Sequence, residues 1–185
     1  MAGKILCEKK GNATHITINR ADCGGLVSDP MAVEMANMID AANDGQSKYI
    51  IFRSEGTDFC LGRDPEGREP GRPSDALDSR RRSETVFNFY GSFRRSKIPV
   101  VAAVQGRSLG FGCAIASVCD LTIAAESARF ALPEMGHNIM PTMAMSSLVD
   151  RVGRKGALYL TYSTEEIDAQ TALSYGLVSR VVQDE

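Results

Sequence analysis

The sequence predicts an α/β fold in which strands and helices alternate within one domain, and three observations lead to this prediction. The chain has 185 residues, which is a usual length for one domain with its own core. Short apolar segments rich in β-branched residues alternate with longer segments whose apolar residues recur at helical spacing. No internal repeat and no shift in composition marks a second domain, so we expect a single domain over residues 1–185.

The first part of the chain predicts a hairpin, a helix and a buried strand. Residues 5–20 form the hairpin, because residues 14–19 alternate between core-facing and polar positions and Gly11-Asn12 supplies the turn. The helix begins at Ser28 or Asp29, has a proline in its first turn and ends before Gly45. The apolar run of residues 49–53 is short enough to be a buried strand.

A long polar segment and a second helix follow. Residues 54–74 are rich in glycine, proline and charge, and a loop of this length inside a domain is usually functional or mobile. The second helix begins near Ser74 or Asp75. Three consecutive arginines, residues 80–82, lie on its polar side, and we interpret them as a solvated face rather than a phosphate clamp. The apolar face of this helix comprises Val86, Tyr90 and Phe93.

The second half of the chain continues the alternation. Strands are predicted at residues 99–104 and 121–124, with a helix at residues 113–119 between them. A final strand is predicted at residues 177–182. Strands and helices therefore alternate throughout the chain, which favours an α/β fold.

Helices are also predicted between the last two strands. Residues 147–153 and residues 154–160 both have helical patterns. Ser163 and Glu166 have the spacing of a capping box for a further helix, which Gly176 ends.

Composition excludes several classes of function. The net charge of −2 argues against a general nucleic-acid binder. No run of 18 apolar residues is present, so we expect no membrane partner. Five scattered cysteines and two histidines form no recognisable metal-ligand pattern, so no metal site is predicted. The N-terminus leads directly into a strand-like segment without a signal sequence, and we therefore expect a reduced, cytoplasmic protein.

Residues 106–110 match the G-x-S-x-G pattern of a serine-hydrolase nucleophile elbow, with Ser108 as the nucleophile. The pattern requires an acid and then a histidine later in the chain. Only Asp120 and His137 are available in that order, and they are close to the serine in sequence. In an elbow the helix directly follows the second glycine, whereas residues 111–112 precede the predicted helix here. We keep the serine hydrolase as a minor alternative.

Two glycine-containing loops and one acidic residue form a better candidate site. The loop around Gly110 precedes a helix, so it offers free backbone N–H groups and the positive end of a helix dipole. This loop lacks the third glycine of a dinucleotide fingerprint, since residue 115 is isoleucine. Gly62 gives a second loop similar freedom. Glu134 follows Pro133 in an apolar stretch, where poor hydration would raise the pKa of a proton-transferring carboxylate.

This combination resembles the crotonase superfamily, also called the enoyl-CoA hydratase/isomerase family. The likeness is carried by "DFCLGRD" at residues 58–64, by the segment of residues 97–136, and by residues 151–162 and 167–182. Residues 16–35 resemble the first strand and helix of the family in weaker form. The resemblance implies a ββα spiral, assembly as trimers or pairs of trimers, and an acyl-CoA thioester as partner. It implies no separate cofactor, because coenzyme A is part of the substrate.

The resemblance also implies the roles of particular residues. The backbone N–H groups of Arg63 and Phe111 would hold the thioester oxygen, and Glu134 would transfer the proton. Arg63 and Phe111 are larger than the residues that are usual at these positions, which implies a narrowed or reshaped pocket. The further residues expected to contact the substrate are Cys60, Leu61, Gly62, Asp64, Pro65, Glu66, Gly110 and Gly112.

One departure from the family pattern bears on the reaction. Many hydratases of the family carry a second glutamate where this chain has Ala114, and a methyl group cannot activate water. A double-bond shift needs only one base, so isomerisation by Glu134 alone is favoured. Hydration remains an alternative if Glu66 or His137 supplies the missing polar group. A catalytically silent acyl-CoA-binding or scaffold homologue is the second alternative.

The C-terminal end differs from the family as well. The sequence reaches Glu185 where the helical segment of the family would begin, so we expect a core domain without that segment. That segment normally covers the acyl-CoA site and packs in the trimer. Its absence would leave the site open, completed by a partner, or inactive.

Overall fold

Strands and helices alternate in the computed structural model, which describes residues 4–64 and 75–184. The strands of the described part are β1 (Ile5–Lys10), β2 (Ala13–Ile18), β3 (Tyr49–Ser54), β4 (Val100–Val104), β5 (Arg107–Leu109), β6 (Leu121–Ala125), β7 (Arg129–Ala131), β8 (Ile167–Asp168) and β9 (Arg180–Val182). The α-helices are α1 (Asp29–Ala42), α2 (Ala76–Arg94), α3 (Phe111–Val118), α4 (Thr142–Leu148), α5 (Arg154–Ser163) and α6 (Ala169–Tyr175). Short 3-10 helices occupy Ala21–Cys23 and Pro133–His137.

The larger sheet has the strand order β1-β2-β3-β4-β6-β9. Strands β1 and β2 form the antiparallel hairpin, and the other neighbouring strands run parallel. Parallel neighbours need crossover connections, and the intervening helices supply them. Phe52 of β3 contacts Phe93 of α2 with ring centroids 5.7 Å apart, so helix α2 packs on this sheet across an aromatic core.

The smaller sheet has the order β5-β7-β8 and forms a second layer. The chain alternates between the layers: β4 and β6 lie in the larger sheet, and each is followed by a strand of the smaller one. An isolated parallel bridge from Cys60 to Ser108 extends the smaller layer by one segment. Successive turns of the chain therefore add one strand to each layer and one helix, as a ββα spiral requires.

The first predicted elements are confirmed. The hairpin, the strand at residues 49–54 and the capping position of α1 at Ser28 agree with the sequence patterns. Helix α2 begins after Asp75, whose side chain accepts a hydrogen bond of 2.8 Å from the Asp78 N–H. The predicted loop lies partly outside the described residues, which resume at residue 75.

Two predictions for the C-terminal third are wrong. Residues 147–153 are not a helix, because α4 ends at Leu148, Val149 is extended and Asp150 has a positive φ of 71°. Ser163 ends helix α5 instead of capping α6. The cap of α6 is Asp168, which accepts a hydrogen bond of 2.7 Å from the Thr171 N–H. Residues 167–168 pair with β7 as strand β8, so the helix can begin only after them.

The first two arginines of the run, Arg80 and Arg81, lie on a solvated side of α2, as predicted. Arg80 pairs with Glu84 and Arg81 with Asp78, and all four side chains are exposed. Within the described ranges no helix combines the length and the apolar character needed to cross a membrane.

Replacing Phe52 with alanine should lower the free energy of unfolding by about 3–5 kcal/mol, because it empties a fully buried site in the aromatic core. Phe87→Ala is the matched control, since this phenylalanine of α2 is 45% exposed and should cost less than about 1 kcal/mol. Urea unfolding followed by circular dichroism measures both. Equal losses would contradict the packing described here.

Candidate active site

Three short segments of the smaller layer end side by side and bring the predicted site residues together. Cys60 pairs with Ser108, and Leu109 of β5 pairs with Ala131 of β7, all in parallel. The Leu109 N–H donates to the Cys60 carbonyl at 2.9 Å, and the Gly110 N–H donates to the Ala131 carbonyl at 2.8 Å. Because parallel segments end at the same edge, the residues that follow each segment are neighbours. These residues include the predicted oxygen-binding amides and the predicted base.

The backbone N–H of Arg63 takes no part in the pairing around it. The neighbouring residues make the bonds of a parallel bridge: the Val27 N–H donates to the Gly62 carbonyl at 3.1 Å, and the Asp64 N–H donates to the Val27 carbonyl at 2.9 Å. The N–H of Arg63 itself has no protein acceptor among the described residues. Its guanidinium forms an ion pair with Asp29 at the start of α1, which ties the long side chain to the protein surface.

The N–H of Phe111 is free for a different reason. Phe111 is the first residue of α3, and the first N–H groups of a helix have no acceptor within it. Gly110 caps the helix with φ 52° and ψ −109°, a conformation that favours glycine. No acceptor for the Phe111 N–H is found in the part of the chain that the structure describes. Among the described residues, the site therefore contains two backbone donors without acceptors, on adjacent segments.

Two glycines permit the close packing of these segments. A Cβ atom at Gly112 would lie 2.2 Å from the Cys60 carbonyl oxygen, so only glycine lets α3 approach the first segment. A Cβ atom at Gly110 would lie 2.9 Å from Oε1 of Glu134. Gly110 therefore leaves space that the Glu134 carboxylate uses, and it brings this side chain next to the turn that carries the Phe111 N–H.

A cavity of about 260 Å³ opens between these segments and the chain that follows Glu134. Its wall is mostly apolar, and its polar groups come from few residues. The lining residues are Leu61, Gly62, Arg63, Val86, Tyr90, Gly110, Phe111, Pro133, Glu134, His137, Ile139, Met140, Pro141, Thr142, Met143 and Ala144.

Glu134 is held in the 3-10 helix Pro133–His137 with its carboxyl group partly buried. Burial raises the pKa of this carboxyl group, and a hydrogen bond from its own backbone and the charge of His137 oppose the rise. The Oε2 atom is shielded from solvent and has no hydrogen-bond partner among the described residues. A carboxylate in this position is poorly solvated, so it holds a proton more readily than an exposed glutamate does and can act in proton transfer.

The other predicted substrate contacts are placed differently. Leu61, Gly62 and Gly110 line the cavity. Asp64 makes an ion pair of 2.9 Å with Arg20, and both side chains are largely buried. The remaining predicted contacts either support the wall or fall outside the described residues: Cys60 and Gly112 pack against each other behind it, and Pro65 and Glu66 are not among the residues that the structure describes.

Ser108 does not have the environment of a nucleophile. One argument against an elbow is wrong, because α3 begins at Phe111 and directly follows Gly110. The serine is nevertheless fully buried in β5, and its Oγ has no hydrogen-bond partner within residues 4–64 and 75–184. Without a base and without access to substrate, Ser108 has the properties of a packing residue.

Sequence reasoning missed part of the cavity wall. Tyr90 was assigned to the apolar face of α2, but it also borders the cavity. The segment of residues 139–144 supplies two methionines and further wall, although no motif marks it. Ala114 is fully buried and does not line the cavity. His137, one of the two residues considered as the polar group for hydration, does line the cavity together with Glu134.

Comparisons with known proteins agree with this architecture. A family model described as enoyl-CoA hydratase/isomerase matches residues 8–185. The short-chain-enoyl-CoA hydratase of Clostridium acetobutylicum is 34% identical over 97% of this chain and 69% of its own length. The crotonyl-CoA hydratase of Syntrophomonas wolfei is 32% identical over 98% of this chain and 70% of its own length. The crystal structure of an enoyl-CoA hydratase from Mycobacterium smegmatis superposes with a TM-score of 0.91 at 24% identity, over 98% of this chain and 71% of that one, which confirms the predicted spiral.

Replacing Gly112 with alanine should lower the free energy of unfolding by about 1–3 kcal/mol, because the new methyl group would overlap the backbone carbonyl of Cys60. Gly153→Ala is the matched control, since nothing lies within 4 Å of a Cβ atom there; because Gly153 is the N-cap of α5, it should still cost up to about 1 kcal/mol. Chemical denaturation measures both variants. A Gly112→Ala variant as stable as the control would show that α3 does not require this close approach.

Proposed function

Because the chain belongs to the enoyl-CoA hydratase/isomerase family, we propose that it binds an acyl-CoA thioester and stabilises the enolate formed beside the thioester carbonyl. One observation carries this proposal. The free N–H groups of Arg63 and Phe111 and the carboxylate of Glu134 belong to residues that line the same cavity. Two donors and one proton-transferring group are the parts that this chemistry needs.

The two N–H groups would act on the charge that develops during the reaction. Removing a proton from the carbon next to the thioester carbonyl moves an electron pair onto the carbonyl oxygen. Fixed donors stabilise this negative oxygen more than the neutral carbonyl, and each contributes about 3–4 kcal/mol to the lowering of the barrier. The apolar wall keeps water away and so strengthens the interaction.

Glu134 would move the proton. In an isomerisation of a 3-enoyl-CoA, its carboxylate removes a proton from C2 and the electron pair forms the enolate. The resulting carboxylic acid then returns the proton to C4, so that the double bond shifts to C2–C3 and the base is regenerated. We favour this reaction because it needs a single carboxylate, and position 114 carries alanine.

Hydration is the second candidate. The curated relatives described above are named hydratases, and His137 lines the same cavity as Glu134. In that reaction His137 would hold the water and take one of its protons as the oxygen adds to C3, while protonated Glu134 gives its proton to C2. Proton exchange with solvent then restores both groups. A silent acyl-CoA-binding homologue would bind the thioester and catalyse neither reaction.

Incubation with 3-enoyl-CoA and with 2-enoyl-CoA tests these alternatives, with products followed by liquid chromatography and mass spectrometry. We expect a double-bond shift, and we expect Glu134→Gln to reduce its rate by about 10²–10⁴-fold, since the amide cannot accept the proton. Glu34→Gln, at an exposed position of α1, is the matched control and should retain full activity. Undiminished activity in Glu134→Gln would remove this residue from the mechanism. Binding without turnover would favour the silent homologue.

The pH profile gives an independent test of the base. A base acts in its ionised form, so kcat/KM should rise with pH through the pKa of Glu134, which burial raises above the usual glutamate range. The charge of His137 lowers this pKa, so His137→Gln should move the rising limb to higher pH. A limb at the pH of an ordinary exposed glutamate, or a shift to lower pH in His137→Gln, would contradict the assignment.

A further inference from the structure

Tyr90 borders the cavity and carries a buried hydroxyl group for which the described residues offer no partner. The residue belongs to α2 and is 0% exposed. Its hydroxyl oxygen is buried and has no hydrogen-bond partner among the residues that the structure describes. Tyr90 nevertheless lines the same cavity as Glu134. Buried polar atoms are almost always paired, so an unpaired one beside a cavity requires an explanation.

Packing explains the ring of Tyr90 but not its hydroxyl group. The ring is stacked on Phe111 with centroids 5.9 Å apart and planes inclined by 29°, and it also contacts Phe89 at 6.1 Å. A phenylalanine would make the same ring contacts and would leave no hydroxyl group without a partner. The buried hydroxyl group therefore lowers the stability of the unliganded protein, and the ring contacts give no reason for its presence.

The surroundings keep this hydroxyl group protonated. Burial is the main cause that raises the pKa of Tyr90. The positive charge of Arg63 lowers this pKa, but it only partly offsets burial, and the negative charge of Glu134 raises the pKa as well. A neutral phenol can donate one hydrogen bond. No hydrogen bond joins Tyr90 to Glu134, whose Oε2 is likewise unpaired in the described part of the chain.

We propose that the acyl group bound in this cavity carries an oxygen atom, as a hydroxyl or oxo group, which accepts a hydrogen bond from the Tyr90 hydroxyl group. This inference rests on the proposed function, because it takes the cavity as the acyl site. The hydroxyl group is closed off from solvent in the unliganded chain, so an entering acyl group must displace the side chains that cover it. Met140 and Met143 line the cavity, and methionine side chains adapt readily to a new shape.

Isothermal titration of saturated thioesters, which the enzyme does not convert, tests this specificity. The set is hexanoyl-CoA and its derivatives with a hydroxyl or oxo group at C4, C5 or C6, because a 3-hydroxy derivative would be the product of the hydration considered above. We expect at least one derivative to bind about tenfold more tightly than hexanoyl-CoA. Tyr90→Phe should bring the ratio of the two dissociation constants close to one. Tyr162→Phe, at a tyrosine that is 62% exposed and outside the cavity wall, should retain the wild-type ratio.

The outcomes separate this inference from the proposed function. If the wild type binds no thioester of the set, the acyl-CoA site itself is wrong. If it binds hexanoyl-CoA and shows no preference for an oxygenated derivative, or if Tyr90→Phe keeps the preference, only the role of Tyr90 is overturned. Thermal unfolding checks that Tyr90→Phe is folded. Should the variant not fold, a crystal structure of the wild type with the preferred derivative decides, and an acyl oxygen beyond hydrogen-bond distance of the Tyr90 hydroxyl group would refute the inference.

Discussion

The candidate site depends on the parallel pairing of three short segments in the smaller layer. Hydrogen bonds from Leu109 to Cys60 and from Gly110 to Ala131 fix these segments in register. The residues that follow these segments have different local partners, since Arg63 is bridged to Val27 and Phe111 begins α3. The pairing nevertheless brings the N–H groups of Arg63 and Phe111 and the side chain of Glu134 to one cavity. A shift of register by one residue would separate these groups, because it would reverse the direction of every side chain and amide.

Close packing and poor hydration then give these groups their chemical properties. Gly112 lets α3 lie against Cys60, and Gly110 leaves room for the Glu134 carboxyl group. The cavity wall is mainly apolar, so the few polar atoms within it interact strongly with one another and with any ligand. The raised pKa of Glu134 and the neutral state of Tyr90 are both consequences of this burial. The cavity is thus suited to a ligand that is mostly apolar and brings its own oxygen atoms to a few donors.

Much of this architecture could be predicted where the sequence signal is local. The start of α1, the cap at Asp75 and the hairpin follow from turn residues and alternating patterns, and they are confirmed. The predictions failed where tertiary pairing overrides local preference. Ser163 and Glu166 have the spacing of a capping box, but residues 167–168 pair with β7 and move the start of α6 to Asp168. Strands β5, β7 and β8 are only two or three residues long, so no periodic pattern predicts them.

The sequence by itself determined the α/β class, the two glycine-containing turns and an acidic residue in an apolar stretch, because glycine, proline and hydrophobic periodicity act over a few residues. Only the tertiary structure decided that Arg63, Phe111 and Glu134 border one cavity, since their proximity results from pairing between segments far apart in the chain. It also decided that Ser108 is buried and that the hydroxyl group of Tyr90 has no partner within residues 4–64 and 75–184. Burial and hydrogen-bond partners are properties of the packed chain, and no local pattern of residues specifies them.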